Sequence, residues 1–514
     1  MNINTRNMAF VNFNGQEMQW VKFNGVTVYE AWKNLIASGV PPLTLLNCKG
    51  VDLVDYKIFG ESVQDGTPTP EAPIEVESVG DKTKNLVNIK KGTLTNCKIE
   101  YLDNGFKLTA TSTKGYYDVP IELIKGNAYR VSFDSTRTGS TGGGYHSMAT
   151  NTSITGSAND LNAKSYGVIA SSATQNYDIT HLRFYANNNG SAGDSATYTN
   201  IQLELGSTKT DYIPYGYKIP VEVSGKNIFN GVLKNGQFSY GEATNYRRVE
   251  ITLEAGTYSI SFSEKIYKQS SNITFTNPSG NFQTNTFTLT ETTDCYIQFR
   301  GYDNVNGAGQ TAEFFNSLKI QVEKGDTPTE YEPYVEPITT NIYLDEPLRK
   351  IGDYTDYIDF ANKKVVRNIY NEYVSNVGFI SSDVDTYKKF LTNLSQKPLL
   401  IGTGIQAVGY AISSKFVRSE QEYRFLGLYP NLIQPYITNA KINRIAYTFD
   451  DSSITTLEQA NEKIGDGFEV NYVLATPIEE DIELPNIPTF KGMTVLSVGT
   501  EIQPSNIEVV YKGK

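Results

Sequence analysis

The 514-residue chain is poor in the residues that carry most chemistry: three cysteines, two histidines and two tryptophans, against 35 tyrosines. Cys48, Cys97 and Cys295 are widely spaced and form no CxxC pair, so neither a disulfide framework nor a zinc site is expected, and they read as buried thiols. With only His146 and His181 present, most metal and acid/base constellations are excluded, and no metal or other cofactor is expected. No apolar run approaches the roughly 18 to 20 residues that cross a bilayer, so no membrane insertion is expected. The opening MNINTRNMAFVNFNG lacks the basic start and apolar core of a secretion signal, which implies synthesis in a cytoplasm without export by the Sec route. A formal charge of -11 argues against a nucleic-acid partner, whose phosphates demand clustered Lys and Arg.

What is present is strand signal, and it predicts an all-β, multidomain protein. Asn14-Gly15 and Asn24-Gly25 each sit between β-rich runs and supply the two positive φ angles of a type I′ hairpin. Residues 1–50 therefore read as a β-hairpin head, or small meander, that needs a partner surface. Residues 51–83 contain ESVQDGTPTPEAPIEVESVG, where Pro68, Pro70 and Pro73 fix φ and remove donors; an extended linker with edge character is predicted.

The chain then repeats itself. IQLELGSTKTDYIPY from Ile201 returns as IQVEKGDTPTEYEPY from Ile320, about 119 residues later. Asn88 to Asn96 matches Asn227 to Asn235 at five of nine places, and YYDVPIELIKGNAYRVSFD from Tyr116 parallels YRRVEITLEAGTYSISFSE from Tyr246, with turns at Gly126 and Gly256. HLRFYA at His181 matches YIQFRG at Tyr296. Two tandem antiparallel β-sandwich, jelly-roll-like modules are predicted, over 84–217 and 218–337. The repeated ending is expected to close each sandwich and hand the chain on.

A third, mostly β domain is predicted over 338–514. Tyr357 to Ile369 reads as a hairpin about Asn362-Lys363, and TTLEQANEKIGDG as the single short helix, with a capping box from Thr455 to Glu458, an apolar face of Leu457, Ala460 and Ile464, and a stop at Gly465. Asp353, Asp356 and Asp359 recur every third residue, but without the order of a calcium loop they read as solvated turn residues.

Catalysis finds little support. His181 lies in a strand pattern, His146 has no neighbouring nucleophile, and GSTGGGYH lacks the Lys and the strand-to-helix context of a phosphate loop. Paired carboxylates for glycoside hydrolysis cannot be located by sequence, so that class stays open. Sugar binding asks for less: an aromatic face and planar hydrogen-bonding groups. The first copy carries roughly 20 extra residues in a Gly/Ser/Thr/Asn-rich loop, 136–167. Tyr145, His146, Asn151, Asn159, Asp160, Tyr166 and Tyr177 lie in or beside it and are the glycan candidates, the alternative being that the tyrosines cover the sandwich rim.

Asp52 to Leu86 resembles the linker of tail-associated minor structural proteins of phages and prophages of Gram-positive, Clostridia-type bacteria. The G-x-T-x-T-x-Y-x-P-Y endings resemble the exit of the carbohydrate-binding-module-like jelly rolls in such proteins. YVLATP at Tyr472 and IPTFKGMTVLSVGTEIQPSNIEVVY from Ile487 are similar to their C-terminal ends. The resemblance implies a virion protein of a tail tip, baseplate or fibre, not an enzyme, whose head contacts other virion proteins and whose modules face a host surface glycan. Homo-oligomerisation, with a trimer as first candidate, is expected because multiple weak sugar contacts gain from effective concentration. The competing expectations are a purely architectural spacer or capsid-attached fibre protein, and a polysaccharide depolymerase.

Overall fold

A computed structural model describes most of the chain from Val51 to Gly513, together with short strands at 12–13, 16–17, 22–23, 26–27 and 45–47; the longest internal stretches outside the described residues are 139–147, 151–165, 171–180, 231–238, 262–272 and 301–318. The chain is all-β and divides into two compact units: Gly80–Ile219 with Tyr343–Pro347, and Met1–Val79 with Pro220–Ile342 and Leu348–Lys514. In the head, Phe13 pairs with Gln16 across Asn14-Gly15, and Phe23 with Val26 across Asn24-Gly25, the two expected two-residue hairpins.

The first unit holds module 1. Its strands are β1 (Thr93–Thr95), β2 (Cys97–Leu102), β3 (Gly105–Ala110), β4 (Tyr116–Pro120), β5 (Ala128–Thr138), β6 (Met148–Thr150), β7 (Tyr166–Ala170), β8 (His181–Tyr185) and β9 (Ser195–Leu205). They form two sheets, β1-β4-β8-β6 and β2-β3-β9-β5-β7. Alternation builds the sandwich: Tyr117 and Val119 of β4, Leu182 and Phe184 of β8, and Phe106 and Leu108 of β3 turn inward. Phe184 meets Phe106 and Tyr198 edge-on, at centroid distances of 5.3 and 5.1 Å. Buried Tyr117 still satisfies its hydroxyl, donating to the Ile89 carbonyl and accepting from Gly92 N, and burial pushes its phenol well above the usual range. Gly105 opens β3 where a Cβ would lie 2.0 Å from the Tyr198 carbonyl oxygen, so only glycine fits.

Module 2, in the second unit, repeats the plan with β10 (Ser239–Tyr240), β11 (Tyr246–Leu253), β12 (Gly256–Ser261), β13 (Ile273–Asn277), β14 (Gly280–Phe282), β15 (Thr286–Leu289), β16 (Thr293–Arg300) and β17 (Gln321–Lys324). The sheets are β10-β11-β16-β13-β14 and β15-β12-β17. Strands β11 and β16 correspond to β4 and β8, and β12 and β17 to β5 and β9. Gly126 lies outside the described residues; Gly256 opens β12 at φ 151°.

The repeated ending closes each module through a polar clasp. In module 1, Asn85 Nδ2 donates to the carbonyls of Ile201 and Ile213, both at 3.0 Å, while its Oδ1 accepts from Val87 N and Leu203 N. Gln202 Nε2 and Thr210 N donate to Glu204 Oε1, Thr210 Oγ1 donates to Glu204 Oε2, and Gln202 Oε1 accepts from Ile213 N. Module 2 reproduces each bond. Asn227 bridges Ile320 and Glu332, Gln321 and Thr329 converge on Glu323, and Gln321 Oε1 accepts from Glu332 N at 2.8 Å. The ending therefore ties entry to exit, as expected. The clasp corrects the alignment of the copies, however: the partner of Asn227 is Asn85, not Asn88. Three residues are shifted because the carboxamide that spans both ends, rather than the count of identities, defines equivalence.

The C-terminal domain packs a six-stranded sheet against a five-stranded one around Phe390, Phe416, Tyr447, Phe449 and Phe468. The predicted hairpin is present: Tyr357–Asp359 pairs with Lys364–Val374, and Lys363 takes φ 52°. The helix spans Leu457–Ile464 and buries Ala460 and Ile464; Gly465 ends it at φ 57°. Its capping box is one residue later than expected, formed by Thr456 with Gln459.

Two further expectations are corrected here. The stretch read as a linker begins with a strand, Val51–Phe59, that lies inside the six-stranded sheet between Tyr357–Asp359 and the C-terminal strand Ile507–Gly513. Its Pro-rich continuation is not extended throughout, since Thr69 and Ala72 exchange backbone N–H···O bonds across a turn, and it straps onto the domain: Asn431 Nδ2 donates to the Pro68 carbonyl, Ile74 N to Ser414 O and Gln64 Nε2 to Ser413 O. Asp356 is not solvated. It is fully buried, accepting from the backbone N–H of Arg349, Asn368 and Ile369 and facing the Arg367 guanidinium at 3.5 Å. Burial raises its pKa, opposed by the Arg367 and Arg349 charges.

Candidate functional site

The same alternation that sends Tyr117, Val119, Leu182 and Phe184 into module 1 sends their neighbours outward. On β4 these are Tyr116, Asp118 and Pro120; on β8 they are His181, Arg183 and Tyr185. Antiparallel register sets Tyr116 opposite Tyr185, Asp118 opposite Arg183 and Pro120 opposite His181. One face of the four-stranded sheet thus carries two phenol rings, a carboxylate, a guanidinium and an imidazole.

Arg183 organises this face. Its Nε and Nη2 donate to the two oxygens of Asp118, each at 2.7 Å, and its guanidinium lies 3.8 Å from the centroid of the Tyr116 ring. Tyr185 stands edge-on to Tyr116 at 5.9 Å, and His181 Nε2 is 3.7 Å from Asp118 Oδ2. The Asp118 carboxylate holds the guanidinium pKa above its ordinary value. Arg183 and Asp118 keep 28% and 22% of their side-chain surface open, so the pair is neither buried nor freely solvated.

Of the residues singled out in the sequence, Tyr145, His146, Asn151, Asn159, Asp160 and Tyr177 lie outside the described residues. Tyr166 opens β7, paired with Ser132 in the other sheet, so it does not join the β4–β8 face. The long loop nevertheless reaches that sheet through β6, whose Ala149 pairs with Arg183. His181 is a strand residue, as expected. Tyr116, Asp118, Arg183 and Tyr185 were missed; the signal that finds them is the alternation in YYDVP and HLRFY.

Module 2 does not repeat the array. At the matching register positions Tyr246 faces Arg300, Arg248 faces Gln298 and Glu250 faces Tyr296, so the cross-strand carboxylate–guanidinium pair is replaced. Among the described residues no group of three or more His, Cys, Asp and Glu side chains could hold a metal ion, and no helix is long and apolar enough to cross a membrane. No family model, curated protein or solved structure matches the chain.

Proposed function

We propose that the chain is a non-enzymatic structural protein of a phage tail tip, baseplate or fibre, displaying β-sandwich modules for attachment to glycans on a bacterial surface. The observation that supports this reading most directly is the duplication itself, carried bond for bond through both clasps. A chain that builds one closed sandwich twice is assembled from projecting display units, and copies of such a chain on one particle turn weak surface contacts into firm attachment. The resemblance of Asp52 to Leu86, the module exits and the C-terminal end to tail-associated proteins supports a virion location. In this reading the hairpin head contacts other virion proteins, and homo-oligomers, with trimers as first candidate, multiply the modules. The protein is made in the host cytoplasm and incorporated into the tail.

Electron microscopy of particles labelled against this chain tests the location; label on the capsid overturns the tail assignment. Adsorption of the purified chain to Gram-positive cells tests attachment. Release of reducing ends from cell-wall polysaccharide would replace the non-enzymatic reading with a hydrolytic one. Because module 2 lacks the Asp118–Arg183 pair, it fits the architectural role of a spacer better than module 1 does.

A further inference from the structure

The attachment reading leaves open which surface of which module makes contact, and with what chemistry. We propose that the outer β4–β8 face of module 1, centred on Asp118 and Arg183, binds an uncharged saccharide through neighbouring hydroxyl groups. This inference rests on the attachment reading and assigns its contact to one face.

Charge decides the ligand class. Both Asp118 oxygens are already engaged by the Arg183 fork, so the pair is neutral in itself and offers an anionic polymer no unmatched cation at its centre. It retains hydrogen-bonding capacity, however. A guanidinium has five N–H donors and the fork uses two; a carboxylate has about four acceptor sites. A hydroxyl group both accepts and donates, so two adjacent hydroxyls can take an N–H from the arginine and give an O–H to the aspartate. The apolar side of a sugar ring then needs a flat, rigid surface, and Tyr185, held edge-on to Tyr116, supplies it. Stacking of Arg183 on Tyr116 fixes the donors before a ligand arrives, which reduces the ordering cost of binding. The β11–β16 register of module 2 sets Arg248 opposite Gln298 and so puts a neutral amide where module 1 has a charged partner across the strands.

Affinity gel electrophoresis of the full chain tests this, with dextran, mannan, galactan and rhamnan as neutral polymers and polygalacturonate and polyglycerol phosphate as anionic ones. Retardation by at least one neutral polymer is expected, weakened about tenfold or more by Asp118→Asn and by Arg183→Lys, and unchanged by Gln298→Ala in module 2. Arg183→Lys keeps the charge but loses the fork, and hydrogen exchange of the β3 amides in each variant separates lost binding from lost fold. Retardation by anionic polymers alone, by none of the polymers, or undiminished in both module 1 variants overturns the inference. Cell adsorption separates its failure from that of the attachment reading. A chain that adsorbs to cells while Arg183→Lys adsorbs equally well removes this face and leaves attachment standing; a wild-type chain that does not adsorb removes attachment.

Discussion

Module 2 repeats every clasp bond that asparagine, glutamine, glutamate and threonine make in module 1, yet the two clasps treat their lysine differently. Lys84 is exposed and donates to Thr210 Oγ1. Lys226 is 5% exposed, donates to Thr329 Oγ1 and the Glu330 carbonyl, and pairs with Glu332 at 3.2 Å. The cause lies in one position of the ending: Glu332 occupies the place that Ile213 holds in module 1, so a buried ammonium finds a counter-ion only in module 2. The asparagine, glutamine, glutamate and threonine bonds of module 1 thus recur in module 2, whereas the surroundings of the lysine have diverged. The shared part fixes how each sandwich closes; the divergent part only tunes it.

That division makes the asparagines the most sensitive test. Asn85→Ala would strand the carbonyls of Ile201 and Ile213 and the N–H groups of Val87 and Leu203, and Asn227→Ala the matching groups of module 2. With buried unsatisfied groups costing about 1–3 kcal/mol each, partly relieved by water, each substitution should destabilise its own module by about 3–5 kcal/mol. Hydrogen exchange read separately on core-strand amides of β3 and β12 measures this, since one melting temperature is poorly defined for a multidomain chain. A loss confined to one copy would break the equivalence of the clasps.

The lysines should separate where the asparagines agree. Lys226→Met leaves Glu332 without its cation in a partly buried setting and is expected to cost module 2 about 1–3 kcal/mol. Lys84→Met at an exposed position should change module 1 by no more than about 0.5 kcal/mol. Denaturant unfolding followed by the same exchange probes reads both. Equal effects would mean that burial of Lys226 contributes nothing. Introducing Ile213→Glu into module 1 sharpens the point, because it should raise the cost of Lys84→Met toward that of Lys226→Met.

Local geometry was legible in the sequence and long-range pairing was not. The pairings of Phe13 with Gln16 and Phe23 with Val26, the Asn362-Lys363 hairpin and the closing role of the repeated ending follow from short patterns, and all are found. The helix start was displaced because Thr455-x-x-Glu458 and Thr456-x-x-Gln459 both satisfy the same capping pattern, and only backbone geometry chooses between them. No local pattern could announce that Tyr56 pairs with Val509, or that Asp356 meets Arg367 inside the core. The β4–β8 face was legible in principle, since alternation alone separates Tyr116, Asp118, Arg183 and Tyr185 from the core. Glycine-rich composition drew attention to the neighbouring loop instead.

Acid should act on the module 1 clasp through Glu204. Burial raises its pKa, but bonds from Thr210 Oγ1, Thr210 N and Gln202 Nε2, with the nearby Lys84 charge, outweigh that and hold it below the ordinary carboxylate value. A folded-state pKa below the unfolded one, about 4.3 for glutamate, means that this contribution is fully present above that pH and is lost as pH falls through the folded value. Exchange at Leu203 should therefore accelerate, relative to intrinsic rates, on stepping from pH 5 to pH 3. Glu204→Gln should flatten the pH dependence, because an amide cannot titrate. Lys84→Met should move it slightly toward neutral pH, since one of the influences lowering the pKa is removed; a profile identical to wild type would show that the exposed lysine leaves no electrostatic mark on the carboxylate it sits beside.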